Sequence, residues 1–140
     1  MTAKAVSTRS RETAPTLFKR SKPFSTYSVD DLEAAKEFYG HTLGLDVVET
    51  AEGLELNARG STIFLYPKPN HTPASFTVLN FPVNNIEEAV NELTRLGVAL
   101  EHYDEPDLKT DDKGISRGPG PKIAWFKDPA GNILSVLEVG

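Results

Sequence analysis

The chain has 140 residues, 39% of them hydrophobic and 25% charged, with a formal net charge of −5 and no cysteine. That length suits one compact unit or two small halves sharing a core, and the missing cysteines exclude disulfides, thiolate metal ligands and cysteine nucleophiles. No apolar run approaches the roughly 18 residues of a membrane span, and an acidic balance argues against nucleic acid as a partner, because phosphate recognition needs a basic surface.

The charge is uneven. Residues 1–22 hold Lys4, Arg9, Arg11, Lys19, Arg20 and Lys22 against Glu12, so the rest is more acidic than the total suggests. This basic head has no apolar core of a secretory signal and reads as a flexible tail. With the lack of cysteine, a cytoplasmic location is expected.

Pro23 to Val29 predicts a strand, with the proline at its start, where a missing N–H matters least. Asp30 and Asp31 then offer a helix cap, and Leu32, Ala35, Phe38 and Tyr39 recur at helical spacing. Gly44 is the expected terminator. Three strands should follow, Leu45 to Thr50, Gly53 to Asn57 and Ser61 to Tyr66, the last two joined by a turn at Arg59-Gly60. Pro67, Pro69, Asn70 and Pro73 break the pattern as a linker does.

The second half repeats the first. Ala74 to Val83 reads as a strand, and Asn84 or Asn85 caps a helix with an apolar stripe of Ile86, Ala89, Val90, Leu93 and Leu96, ended by Gly97. Val98 to Tyr103 is the next expected strand. Asp104 to Pro121 is long, polar and rich in Pro and Gly, and reads either as a flap over a ligand site or as a mobile surface loop. Ile123 to Phe126 and Ile133 to Leu137 form a closing hairpin around Asp128-Pro129-Ala130-Gly131-Asn132, strong turn chemistry. The repeat also shows residue by residue: Val29-Asp30-Asp31-Leu32-Glu33-Ala34-Ala35 matches Val83-Asn84-Asn85-Ile86-Glu87-Glu88-Ala89. Repeated units of this kind share a core that neither builds alone.

Duplicated βαβββ units, the run from Val29 to Tyr39 followed by Leu43-Gly44-Leu45, and the run from Phe126 to Asn132 together resemble the vicinal oxygen chelate superfamily. That group includes glyoxalase I, extradiol dioxygenases, methylmalonyl-CoA epimerase, fosfomycin resistance enzymes and bleomycin resistance proteins. The resemblance covers residues 23–139, as modules of about 23–69 and 74–139. It implies an α+β fold in which two βαβββ modules form a curved, half-open sheet around a cavity, with helices outside, and it implies a homodimer.

It also implies metal ligands, usually His, Gln or Glu on the first and last strands of each module, holding an ion that acts as a Lewis acid. Here those positions fall at Phe24, sharing a face with Thr26 and Ser28; at Phe64 or Tyr66; at Val78, sharing a face with Phe76 and Asn80; and at Ser135. A register shift of one residue offers Ser25, Leu65, Thr77 or Leu79, and Leu134 or Val136, which are no better. No metal site and no cofactor are therefore expected. Of the histidines, His41 reads as surface, His71 lies in the linker, and His102 beside Tyr103 is placed to look into the cavity.

The expected function is binding of a small organic molecule without a metal, in the manner of bleomycin resistance proteins. Phe24, Phe64, Tyr66, Phe76, Val78 and Trp125 would supply apolar surface, and Thr26, Ser28, Asn80, His102 and Ser135 hydrogen bonds. No partner of the nucleic-acid or membrane class is expected. Two alternatives stay open: a metal-dependent lyase, isomerase or dioxygenase with ligands from unusual positions, and an interaction module whose aromatic residues merely fill the cavity. Whether the chain is an enzyme is left undecided.

Overall fold

A computed structural model describes residues 16–140. Most of the expected N-terminal tail lies outside the described residues; its described part holds a single helical turn, α1 (Leu17–Arg20), with Leu17 and Phe18 exposed. Two four-stranded sheets follow. The first contains β1 (Ser25–Val29), β2 (Asp46–Glu49), β3 (Leu54–Ala58) and β4 (Ser61–Pro67). The second contains β5 (Thr77–Val83), β8 (Ile115–Ser116), β9 (Ile123–Lys127) and β10 (Ile133–Glu138). Their strand orders are β1-β4-β3-β2 and β5-β10-β9-β8. In both, the first strand of the unit pairs in parallel with the last, and the remaining pairs are antiparallel. The sequence repeat is thus a repeat of topology, in a mixed α+β fold whose sheets do not close.

Each unit carries one helix. In α2 (Leu32–Lys36) the Asp31 carboxylate caps the first turn by accepting from the Ala34 N–H at 3.1 Å. In α3 (Ile86–Arg95) Asn85 does the same for Glu88 at 3.0 Å. Glu87 and Glu88 in the first turn and Arg95 in the last suit the helix dipole. Gly44 and Gly97 follow the helices, as expected. The first helix departs from expectation in one respect. After Lys36 it widens into a π-helical segment, Glu37–Thr42, whose pattern continues in the bond from Leu43 N–H to the Phe38 carbonyl at 2.9 Å. Phe38 and Tyr39 meet edge-on there, with ring centroids 5.2 Å apart, and Phe38 reaches Phe126 of the second unit at 6.4 Å.

Strand alternation decides which face is core. Leu54 and Leu56 on β3, Ile63 and Leu65 on β4, and Leu134 and Val136 on β10 are buried on the helix side. They join Val29, Ala35, Tyr39, Ile86, Val90, Ile115 and Phe126 in one core shared by both units. Burying large aliphatic and aromatic side chains contributes roughly 1.5–3 kcal/mol each, so each unit is stabilised by the other. The alternate residues form an inner face turned away from the helices.

Two segments differ from expectation. Val98 to Tyr103 is not a strand: Leu100 makes a single bridge to Phe126, and the Glu101 N–H bonds the Trp125 carbonyl at 2.8 Å. The edge beside β9 is taken by β8, whose Ile115 is fully buried. Val98 instead folds back onto the end of α3, where its N–H bonds the Leu93 carbonyl. The 104–121 stretch, in turn, is structured. It opens with a small ribbon, β6 (Asp104–Glu105) with β7 (Leu108–Lys109), and then supplies β8. The Asp111 carboxylate staples it, accepting from the Lys113 and Ile115 N–H groups and from Arg117 Nε, each at 2.9 Å. Burial pushes the Asp111 carboxyl up, but Arg117 and the two N–H groups outweigh it and hold it below its ordinary value. Arg117 also reaches Glu87 on α3 at 2.9 Å, tying the stretch to the body. Among the described residues no helix is long and apolar enough to cross a membrane.

Candidate functional site

The closing turn is held in place by the first unit. The carboxylate of Asp128, 4% exposed, accepts from the Ala130 N–H at 3.0 Å and the Asn132 N–H at 2.8 Å. It also accepts from Asn132 Nδ2 at 3.0 Å and from the Tyr39 hydroxyl at 2.7 Å. Asn132 Nδ2 donates in addition to the Ser28 carbonyl at 3.0 Å, and Tyr27 meets Tyr39 hydroxyl to hydroxyl at 2.8 Å. Gly131 takes φ +86°, which closes the turn. The linker histidine His71 lies between Ser28 Oγ, 2.7 Å from Nδ1, and the Ala130 carbonyl, 3.0 Å from Nε2. The carbonyl only accepts, so Nε2 carries the proton and Nδ1 accepts from Ser28. Here polar side chains join the two units.

This cluster makes stability sensitive to alkali. Burial pushes both tyrosine hydroxyls up. For Tyr27 the bond to Tyr39 opposes that rise; for Tyr39 the charges of Tyr27 and Asp128 add to it. Folded values above the unfolded one favour the folded state fully below about pH 10, and that contribution is lost as pH rises further. The free energy of unfolding, and with it the urea midpoint, is therefore expected to fall between about pH 10 and pH 11, the free energy by up to about 1.4 kcal/mol per pH unit per hydroxyl. Tyr39→Phe should show a shallower fall; an unchanged midpoint across that window would refute the assignment.

On the inner face of the second sheet, Asn80, Ser135 and Trp125 form one row across β5, β10 and β9. Ser135 is fully buried and donates to Asn80 Oδ1 at 2.5 Å. Trp125 Nε1 donates to Thr77 Oγ1 at 3.2 Å, and Tyr103 packs edge-on against the indole at 5.6 Å. A cleft of about 460 Å³ lies over this face, walled by Trp125, Ile123 and Ser116 on the sheet and by Pro106, Leu108, Lys109, Pro119 and Pro121 of the 104–121 stretch.

The site residues expected from alternation are distributed as follows. Phe64 and Thr26 are neighbours on the inner face of the first sheet, and Tyr66 lies beside Ser28 in the next row. Phe24 and Phe76 precede β1 and β5 and are 62% and 67% exposed. Val78 does not share a face with Asn80: a bulge sets Thr77 opposite Ile133 and Leu79 opposite Leu134, and Val78 packs on the core. His102 is exposed and off any strand; its neighbour Tyr103 is the residue that meets Trp125. His41 is exposed at the end of the first helix. Asp128, Asn132, Tyr27, Tyr39 and His71 were not candidates by alternation; Asp128 and Asn132 stand in the sequence only as turn residues.

The strand positions where the resemblance would place metal ligands hold Phe24, Phe64 or Tyr66, Val78 and Ser135, and the Ser135 hydroxyl is already bonded to the Asn80 amide. Hydroxyls and amides do not make a site for a borderline metal that favours imidazole and carboxylate. Among the described residues no three His, Cys, Asp or Glu side chains converge on a common point. The residues present do not fit the ion.

A sequence model of the glyoxalase/bleomycin resistance protein/dioxygenase superfamily matches residues 24–136. A search of curated proteins finds no match. Among solved structures, a glyoxalase family protein from Enterococcus faecalis is similar with a TM-score of 0.63 at 24% identity, over 87% of this chain and 99% of that one. TnmS3, an antibiotic binding protein from Streptomyces sp. CB03234, has a TM-score of 0.61 at 23% identity, over 86% and 98%. The fosfomycin resistance protein FosX from Listeria monocytogenes reaches 0.63 at 12% identity, over 86% and 93%. At such identities the likeness is one of fold.

Proposed function

The chain belongs to the glyoxalase/bleomycin resistance protein/dioxygenase superfamily, and from that premise we propose that it binds a small organic molecule without a metal, in the cleft over the second sheet. The observation that carries this reading is the cleft itself. Its volume of about 460 Å³ falls in the range of roughly 300–1,000 Å³ typical of small-molecule sites. Its floor is a tryptophan whose indole N–H is already bonded to Thr77, leaving a flat apolar surface. Pro106, Leu108, Pro119 and Pro121 oppose it, and prolines give a wall that loses little entropy on binding. Lys109, Asp107 and Ser116 provide polar anchors at the edge. The occupant that suits this lining is flat and largely apolar with a few polar groups. The relative described as an antibiotic binding protein shares the fold and is consistent with that role. Homodimer assembly and a cytoplasmic location belong to the same proposal and rest on the resemblance and on composition.

Trp125 is the only tryptophan of the chain, so its fluorescence reports on the cleft. A panel of aromatic antibiotics and planar metabolites, screened in EDTA, is expected to contain a compound that quenches Trp125 emission and raises Tm. Leu108→Asp should weaken that compound by about tenfold or more, since one lost apolar contact is worth about 1–3 kcal/mol. Binding that disappears in EDTA and returns with a divalent ion would favour a metal-dependent enzyme. No response from the panel would favour a filled interaction module.

A further inference from the structure

The first sheet carries a recess of its own, separate from the Trp125 cleft. It measures about 230 Å³ and is lined by Phe24, Glu52, Glu55, Thr62 and Phe64. From its lining we infer that it binds an organic cation, a protonated amine attached to a small apolar or aromatic body. Register places Glu55 in the middle of a row that runs Thr26, Phe64, Glu55, Val48 across the inner face. Between a phenylalanine and a valine the Glu55 side chain is half-buried, and among the described residues neither Glu55 nor Glu52 lies within ion-pair distance of a Lys or Arg that would offset the lost hydration.

The carboxylate is nonetheless held in place. Thr62 Oγ1 donates to Asn57 Oδ1 at 2.9 Å, and Asn57 Nδ2 donates to Glu55 Oε2 at 3.0 Å. That relay occupies one oxygen and leaves Oε1 available. Glu52 stands on the rim, its N–H held by Thr50 Oγ1 at 3.2 Å in the turn between β2 and β3. Two phenyl groups with two carboxylates and, among the described residues, no Lys or Arg within ion-pair distance make a lining whose missing charge is positive. A ring face attracts a cation by about 0.5–2 kcal/mol, and an ammonium N–H bonded to a carboxylate is among the stronger hydrogen bonds. An anion is repelled by both groups, and a neutral ligand leaves the carboxylates uncompensated.

The test is an NMR titration of the full chain with benzylammonium and with benzyl alcohol, its neutral counterpart. Benzylammonium is expected to shift the amides of Glu55, Thr62 and Phe64 and to bind at least tenfold tighter than the alcohol. Glu55→Gln, which keeps the side chain's size, should bring the two probes to equal affinity, and Phe24→Ser should weaken both. Equal binding of both probes by the parent chain overturns the inference, as does an unchanged benzylammonium affinity in Glu55→Gln. So do amide shifts in this recess that follow protein concentration rather than probe, which would mean that a second copy covers it. Trp125 emission is read in the same samples and should stay constant, so failure here is distinct from failure of the cleft over the second sheet.

Discussion

Asp128→Ala is expected to lower the free energy of unfolding by about 3–5 kcal/mol, in the upper tail for single substitutions. Four donors converge on this carboxylate: two backbone N–H groups, the Asn132 amide and the Tyr39 hydroxyl. Truncation leaves them in a nearly dry site, where each unsatisfied donor costs about 1–3 kcal/mol less whatever water can recover. Asp128→Asn should do little better, because its NH2 must face donors on one side or the other. Tyr39→Phe removes a single hydroxyl and should cost only about 1–2 kcal/mol. Urea denaturation reads all three. A loss below 1 kcal/mol for the alanine variant would mean that water replaces the carboxylate and that the two units are joined by apolar packing alone.

Gly53→Ala is expected to cost about 3 kcal/mol or more, at or beyond the upper end for overpacking. A Cβ at this position would stand 2.0 Å from the Leu65 carbonyl oxygen and 3.2 Å from the Phe64 ring. The first contact is with backbone, at the open end of the β3–β4 pairing, where Leu54 lies opposite Leu65. Nothing flexible can give way, so the strands must part locally. Roughly 10 °C or more of Tm should be lost, together with benzylammonium binding at the adjacent recess, because Phe64 moves with its strand. An Ala variant with native Tm would show that the Thr50–Gly53 turn re-forms at no cost.

Much of the fold was legible because its signals are local. Alternation in Ser61 to Tyr66, the caps at Asp31 and Asn85, the Arg59-Gly60 turn and the Asp128–Asn132 turn each depend on neighbours a few residues apart. The π-helical segment was not legible, since Glu37 to Thr42 carries the same apolar spacing as an α-helix and only packing selects the wider turn. The failed strand at Val98 to Tyr103 is a case of competition. Its residues have the right composition, but Ile115 pairs with Ala124 and occupies the edge.

The candidate sites divide in the same way. Trp125 and Ser135 follow from strand parity alone, whereas Val78 does not, because a bulge interrupts that parity. Glu55 had a signal of its own: a glutamate between Leu54 and Leu56 must point away from the side that both leucines bury. The partnership of Asp128 with Tyr39 had none, because it spans 89 residues and depends on how the two units dock.

That span has a consequence for the order in which the protein is made. While a ribosome elongates the chain, Tyr39 and the Ser28 carbonyl emerge long before their partners Asp128 and Asn132, which lie 89 and 104 residues downstream. The first sheet is complete at Pro67, so at about 5–20 residues per second it spends roughly 3–13 s without Asp128 and Asn132. During that interval its leucine-rich helix-side face lacks the cover of the second unit, and native structure is expected to lock in only when the closing turn leaves the exit tunnel.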